Sequence, residues 1–188
     1  MKRVYLLLFA SLFIFLGANA AIDARYGKGA VPVVNNRVTF EKTISALNGF
    51  DEQQVYEKAV KWVEKRFVKP TVIAAKTVEN DPVNHRIVIN AEEYIVFKNR
   101  FLVLDRSRIN YWLEIKAVDN GFTIKMTRIN YWYEEERDGG MRFTAEEWIT
   151  DEQCFNNSGT KFLRSSGKFR TKTIDLFDSL CNEFADKF

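Results

Sequence analysis

The pentapeptide Arg-Ile-Asn-Tyr-Trp occurs twice in this chain, at Arg108 to Trp112 and at Arg128 to Trp132. Both copies sit in stretches where polar and apolar residues alternate, the pattern of half-buried β-strands. On a strand the alternation sends Ile109, Tyr111 and Leu113 to one face and Asn110, Trp112 and Glu114 to the other. Tryptophans among amides and charges on a strand face mark a ligand or partner surface, with Trp112, Trp132, Asn110 and Asn130 as its residues. The plainer reading is that a helix or long loop covers them, since Trp buries area wherever it can. Five matching residues are too few to indicate a repeat architecture.

A second cluster is cationic. Lys161, Arg164, Lys168, Arg170 and Lys172 precede Asp175 with no intervening acid, and several fall at the start of a predicted helix, where the helix dipole disfavours cations. Something negative must compensate. Asp151, Glu146, Glu147 or the acidic run Glu134 to Glu136 are the internal candidates, and anionic lipid headgroups or acidic glycan the external ones.

Other chemistry is thin. His85 is the sole histidine, which leaves no His-rich metal site and one base at most for a triad. Phosphate-binding glycine motifs are missing, Gly27-Lys28-Gly29 being only a fragment. The run Glu134 to Asp138 lacks the alternating ligand spacing of a calcium loop. Glu146 and Glu147 could serve glycoside hydrolysis only with a second acid facing them. No metal and no cofactor is expected. Cys154 and Cys181 are the two thiols; an exported chain could bridge them, or both could be small buried hydrophobes.

Export is expected from the first twenty residues. Met1, Lys2 and Arg3 are followed by an uncharged run from Val4 to Leu16 and by Ala18-Asn19-Ala20, a signal peptide with its cleavage pattern. Ala21 at the cleavage point excludes a lipoprotein, which needs cysteine there. Removing those residues from 188 leaves 168, and 26 Lys and Arg against 25 Asp and Glu, a net charge of +1. A near-neutral exported domain is a poor nucleic-acid binder, because that affinity rests on phosphate neutralisation. No second apolar run is long enough to span a bilayer, so the expected product is periplasmic or secreted.

The elements that must hold these residues follow from periodicity. Residues 21–36, with two glycines and a proline, read as an extended arm, and 37–188 as a single domain. Val38 to Ile44 reads as a strand, and Asp51 to Phe67 as a helix with a capping box at Asp51 and Gln54. Lys69 to Asn84 reads as a connection. Strands are expected at His85 to Asn90, Tyr94 to Leu104, Ser107 to Val118 and Phe122 to Glu134, with a hairpin at Asn120-Gly121. Pairing from that turn places Trp112 opposite Asn130, Trp132 opposite Asn110 and a β-bulge at Thr127 to Arg128. Phe143 to Ile149 reads as an edge strand, and Phe169 to Ala185 as a last helix. The order makes an α+β layer, an antiparallel sheet with two helices on one face.

Three segments, Tyr26 to Asn35, Ala145 to Asp151 and Gly167 to Asp175, resemble an exported family of Bacteroides-type bacteria, domain of unknown function 4468, whose fold is likened to the TATA-binding protein. The resemblance spans nearly the whole mature chain and implies a TBP-like β-α-β4-α domain. It implies no activity and no catalytic residues. The expected function is a non-catalytic binding or assembly module of the cell envelope, whose partner is an envelope protein or glycan. A carboxylate-dependent hydrolase acting on envelope glycan is the alternative.

Overall fold

The computed structural model describes residues 22–45 and 49–188; the signal peptide read at 1–20 lies outside them. A short hairpin, β1 (Val33–Val34) and β2 (Arg37–Val38), leads into β3 (Phe40–Ile44) and α1 (Glu52–Arg66). Four long strands follow: β4 (Val72–Asp81), β5 (Arg86–Arg100), β6 (Val103–Val118) and β7 (Gly121–Tyr133). Then come β8 (Met141–Thr144), two single-turn helices, α2 (Ala145–Trp148) and α3 (Asp151–Cys154), and the long α4 (Arg164–Ala185). The large sheet is antiparallel in the order β3-β7-β6-β5-β4, and β8 pairs with β7 on the same edge as β3. This is the expected β-α-β4-α architecture with its edge strand β8, to which the β1–β2 hairpin and the short helices α2 and α3 are added.

The alternation is what builds the core. Ile87, Ile89 and Ala91 on β5, Ile109, Tyr111, Leu113 and Ile115 on β6, and Phe122, Ile124 and Met126 on β7 point to one face. Against them pack Val55, Ala59, Trp62 and Val63 of α1 and Phe169, Ile174, Phe177, Leu180 and Phe184 of α4. Asp51 and Gln54 close the capping box that starts α1, worth about 1 kcal/mol. Gly121 is required where β3 leaves the sheet, because a Cβ there would stand 2.0 Å from the Ile44 carbonyl oxygen.

Several expected boundaries change. The expected strands His85 to Asn90 and Tyr94 to Leu104 are one, β5, running through Ala91-Glu92-Glu93, and the connection Lys69 to Asn84 contains the edge strand β4. β4 pairs along β5 while most of its side chains stay exposed, so no burial period marks it. The expected edge strand Phe143 to Ile149 is half strand and half helix: Thr144 and Glu147 form a capping box that begins α2. α4 starts five residues earlier than Phe169.

The N-terminal segment is not a free extended arm. Arg25 pairs with Asp178 at 2.8 Å, the Tyr26 hydroxyl donates to Asp175 at 2.7 Å, and Val31 is buried. Asn35 and Asn36, both at positive φ, turn the β1–β2 hairpin. Arg170 fastens this segment from inside. Its fully buried guanidinium donates to the carbonyls of Tyr26, Gly27 and Ile149 and pairs with Asp151 at 2.8 Å.

The register of the two pentapeptides also differs from expectation. The β6–β7 turn is Asp119-Asn120, with Val118 opposite Gly121, so Ile115 meets Ile124 and Leu113 meets Met126. A bulge is present one residue later than expected: Arg128 at φ 53° and Ile129 together face Tyr111. Beyond it Asn110 faces Asn130 and Trp132 faces Arg108, while Trp112 faces Thr127. The earlier turn and the later bulge together shift the partners of both tryptophans from those expected, though not their face.

The bulge switches the core-facing residues of β7 from even numbers to odd. Inserting one alanine after Arg128, a second extra residue that the bulge does not absorb, therefore turns Ile129 and Tyr131 outward, and cooperative thermal unfolding should be lost. Arg128→Gly, which suits positive φ, should stay within about 1 kcal/mol of wild type. An unchanged melt for the insertion would contradict this register.

Candidate functional site

The sheet face away from α1 and α4 is open, and the pentapeptides lie on it. Because the two copies run antiparallel, each arginine covers the tryptophan of the other copy: the Arg108 guanidinium is 4.8 Å from the Trp132 ring centre and that of Arg128 is 3.9 Å from Trp112. Trp132 has a second cover, Arg142 of β8, at 4.0 Å. Since β6 and β8 flank β7, the indole is held between cations from both neighbouring strands, a favourable cation–π arrangement. Its Nε1 donates to the Gly139 carbonyl at 2.9 Å, which ties the 134–140 loop to the sheet.

Beside Trp132 lies a groove of about 540 Å³. Arg108, Asn110, Asn130, Arg142 and Thr144 supply polar groups to its wall, together with the carboxylates of Glu92 and Glu147. The structure thus brings together three of the four expected contact residues, Asn110, Asn130 and Trp132. Trp112 is not in the wall. Asn110 exchanges side-chain hydrogen bonds with Asn90, and Asn130 donates to the Arg128 carbonyl at 2.8 Å.

Charge on this face is largely balanced. Arg108 pairs with Glu92 at 3.1 Å and with Glu135; burial works to lower its pKa, but the bonds to those two carboxylates outweigh it and the net shift is upward. Glu135 also accepts from the Tyr94 hydroxyl at 2.8 Å. Glu147 is held below the usual carboxylate range, first by the Thr144 backbone N–H and then by its hydroxyl. Arg142 makes no ion pair among the described residues.

The basic run does not form one patch. Arg170 is interior; Lys168 pairs with Asp105 at 2.9 Å and donates to the Tyr133 hydroxyl; Lys172 is 3.8 Å from Asp175. Lys161 and Arg164 are exposed. Internal anions therefore compensate much of the run, with Asp105 an unforeseen one. His85 sits 3.1 Å from Glu52 and against Tyr56. No group of three or more metal-ligating side chains occurs among the described residues, and no helix there is long and apolar enough to cross a membrane.

A family model described as domain of unknown function (DUF4468) with TBP-like fold matches residues 40–132. A crystal structure of a DUF4468 family protein from Bacteroides ovatus is 32% identical, with a TM-score of 0.77, covering 86% of this chain and 91% of that one. The chain belongs to the DUF4468 family. A TBP-like protein from Parabacteroides distasonis shares the fold at 17% identity and a TM-score of 0.66, covering 83% of this chain and 95% of that one. No curated protein matches. The Bacteroides ovatus protein thus shares the fold on which the groove is built.

Arg108 and Arg142 were not singled out from sequence. Arg108 was within reach, since it shares a strand face with Asn110 and Trp112; Arg142 needed the register of β8. Cys154 and Cys181 are both free and buried. Cys154 contacts Ser166, and the stretch of α4 from Ser166 to Cys181 spans about 22 Å, far beyond the reach of a disulfide. Burial raises both thiols, Cys181 to about 12. In the native chain at pH 8 neither thiol should react readily with a thiol probe. After denaturation without reductant both should react, and a reading of no free thiols would establish a bridge.

Proposed function

We propose that this DUF4468 chain is an exported, non-catalytic binding or assembly module of the bacterial cell envelope, with the open sheet face around Trp132 as its contact surface. The observation that carries this reading is the indole fixed between Arg108 and Arg142 beside a groove lined by Asn110 and Asn130. Aromatic and arginine side chains of this kind dominate contact energies where they are held rigid. Both indole flanks carry cations, so the groove offers guanidinium and amide donors rather than a bare ring for stacking. Envelope glycans bearing carboxylates, or acidic protein segments, match that chemistry. The export signal read in the first twenty residues supports an envelope location.

The hydrolase reading receives less support. Glu92 is tied to Arg108, and Glu147 caps α2 with its pKa lowered. A general acid needs a carboxyl shifted upward.

Retention of an acidic envelope-glycan fraction on immobilised chain separates the contact residues. Arg142→Ala, at an exposed position, and Trp132→Ala should each weaken retention by roughly thirtyfold, as for a hot-spot side chain. Trp112→Ala should leave it unchanged. Equal retention by all three variants and the wild type would refute the assignment.

A further inference from the structure

The β5–β6 hairpin ends in a feature that the Trp132 face does not explain. Its turn is Phe101-Leu102, two large apolar residues that are 92% and 88% exposed, followed by Val103 and Leu104, also exposed. Two-residue hairpin turns favour Asn and Gly, because one or both positions need positive φ. Here Leu102 takes φ 60°, a costly conformation for a leucine. Both its backbone and its exposure would be improved by Asn-Gly, so the apolar pair is kept against local preference. A strained, exposed apolar tip is a functional signature.

The surroundings say what the tip meets. Lys98 and Arg100 stand at the end of β5 and, like Arg164, make no ion pair among the described residues. On the helix side, Phe97 shares a groove with Leu163, Arg164, Lys168 and Lys172, so the first turns of α4 face the same end of the hairpin. On the open side Arg106 stacks on Tyr94 at 3.8 Å. Most carboxylates in this region are engaged: Asp105 with Lys168 at 2.9 Å, Glu134 at 3.5 Å from Arg137 and Glu136 at 4.0 Å from Arg106, while Asp138 is exposed and makes no ion pair among the described residues. An apolar point with unpaired cations behind it is complementary to an anionic bilayer, with hydrocarbon below and phosphate at the headgroup level.

We propose that the Phe101-Leu102 tip inserts into the interfacial zone of an anionic membrane while Lys98, Arg100 and Arg164 contact lipid phosphates. From Phe97 to Phe101 the strand advances about 13 Å, so a tip at the acyl boundary places the α4 cations among or just above the headgroups. The Trp132 groove lies about 20 Å back along the hairpin and stays clear for another partner. The basic run at the start of α4 thereby gains a role that internal pairing leaves open for Arg164.

Co-sedimentation of the chain from Ala21 to Phe188, which contains the entire described fold, tests this with two vesicle types: equal parts phosphatidylglycerol and phosphatidylcholine, and phosphatidylcholine alone. The chain should pellet with the anionic vesicles, less so as salt is raised, and weakly with the neutral ones. Phe101→Ser with Leu102→Ser should reduce binding at least roughly tenfold, and Lys98→Glu with Arg100→Glu should weaken it while leaving the tip apolar. Melting temperatures should hold in both variants, because the altered side chains are exposed. Absence of wild-type binding at low salt, or undiminished binding by the serine variant, would overturn the proposal. So would a serine variant that merely converts a dimer to a monomer, which would make the tip a contact between copies of this chain.

Discussion

The open face depends on one irregularity, the bulge at Arg128 and Ile129. A strand that alternates without interruption buries residues of one parity along its whole length. β7 cannot do so, because Phe122, Ile124 and Met126 need the core on one side of the bulge and Ile129 and Tyr131 need it on the other. The extra residue reconciles the two halves. It also divides the edge of β7, with β3 pairing before the bulge and β8 after it. Only with β8 in that second stretch does Arg142 reach Trp132, and only with the shifted register does Arg108 reach it from the other side.

The remainder of the molecule holds that arrangement rigid through buried polar contacts. Arg170 joins the N-terminal segment, the Ile149 carbonyl after α2 and Asp151 of α3 to the body of α4. Removing the Arg170 guanidinium would leave the buried Ile149 carbonyl without this donor, at a cost of roughly 1–3 kcal/mol, so these short elements depend on one another. Under α1, Arg66 pairs with the buried Glu93 at 2.9 Å, and Glu93 also accepts from Tyr111. Burial, followed by the Glu93 charge, raises the Tyr111 hydroxyl well above its usual value and keeps it a neutral donor. The helix face is thus packed, and the opposite face is free to specialise.

Where burial alternates, the sequence was readable. The capping box of α1, the apolar stripes of both long helices, the strand faces of the pentapeptides and the bulge all follow from period and turn chemistry. β4 was hidden because pairing with β5, rather than side-chain burial, stabilises it. The β5–β6 turn was hidden because Phe101 and Leu102 carry no turn signal, and Glu93 disguised a continuous strand because its partner Arg66 lies on a helix remote in sequence. Of the groove, the amides and Trp132 could be placed on one face from alternation alone. Arg142 could not, since its position comes from the short strand β8, whose end is set by the Thr144–Glu147 capping box.

Taken together, the fold presents a packed helical side and an open side on which two copies of one pentapeptide lock each other's tryptophans with arginines. That open side as a contact surface is the central claim. Of the chain's four tryptophans, Trp62 lies in the helix-side core and Trp148 packs against Phe143 and Phe169, so the indole N–H resonances separate the faces in a single nitrogen-15 correlation spectrum. During titration with an acidic envelope glycan, the Trp132 indole and the Asn110 and Asn130 side-chain amides should shift together while Trp62 and Trp148 stay fixed. Shifts confined to Trp62 and Trp148, with Trp132 unmoved, would contradict the account.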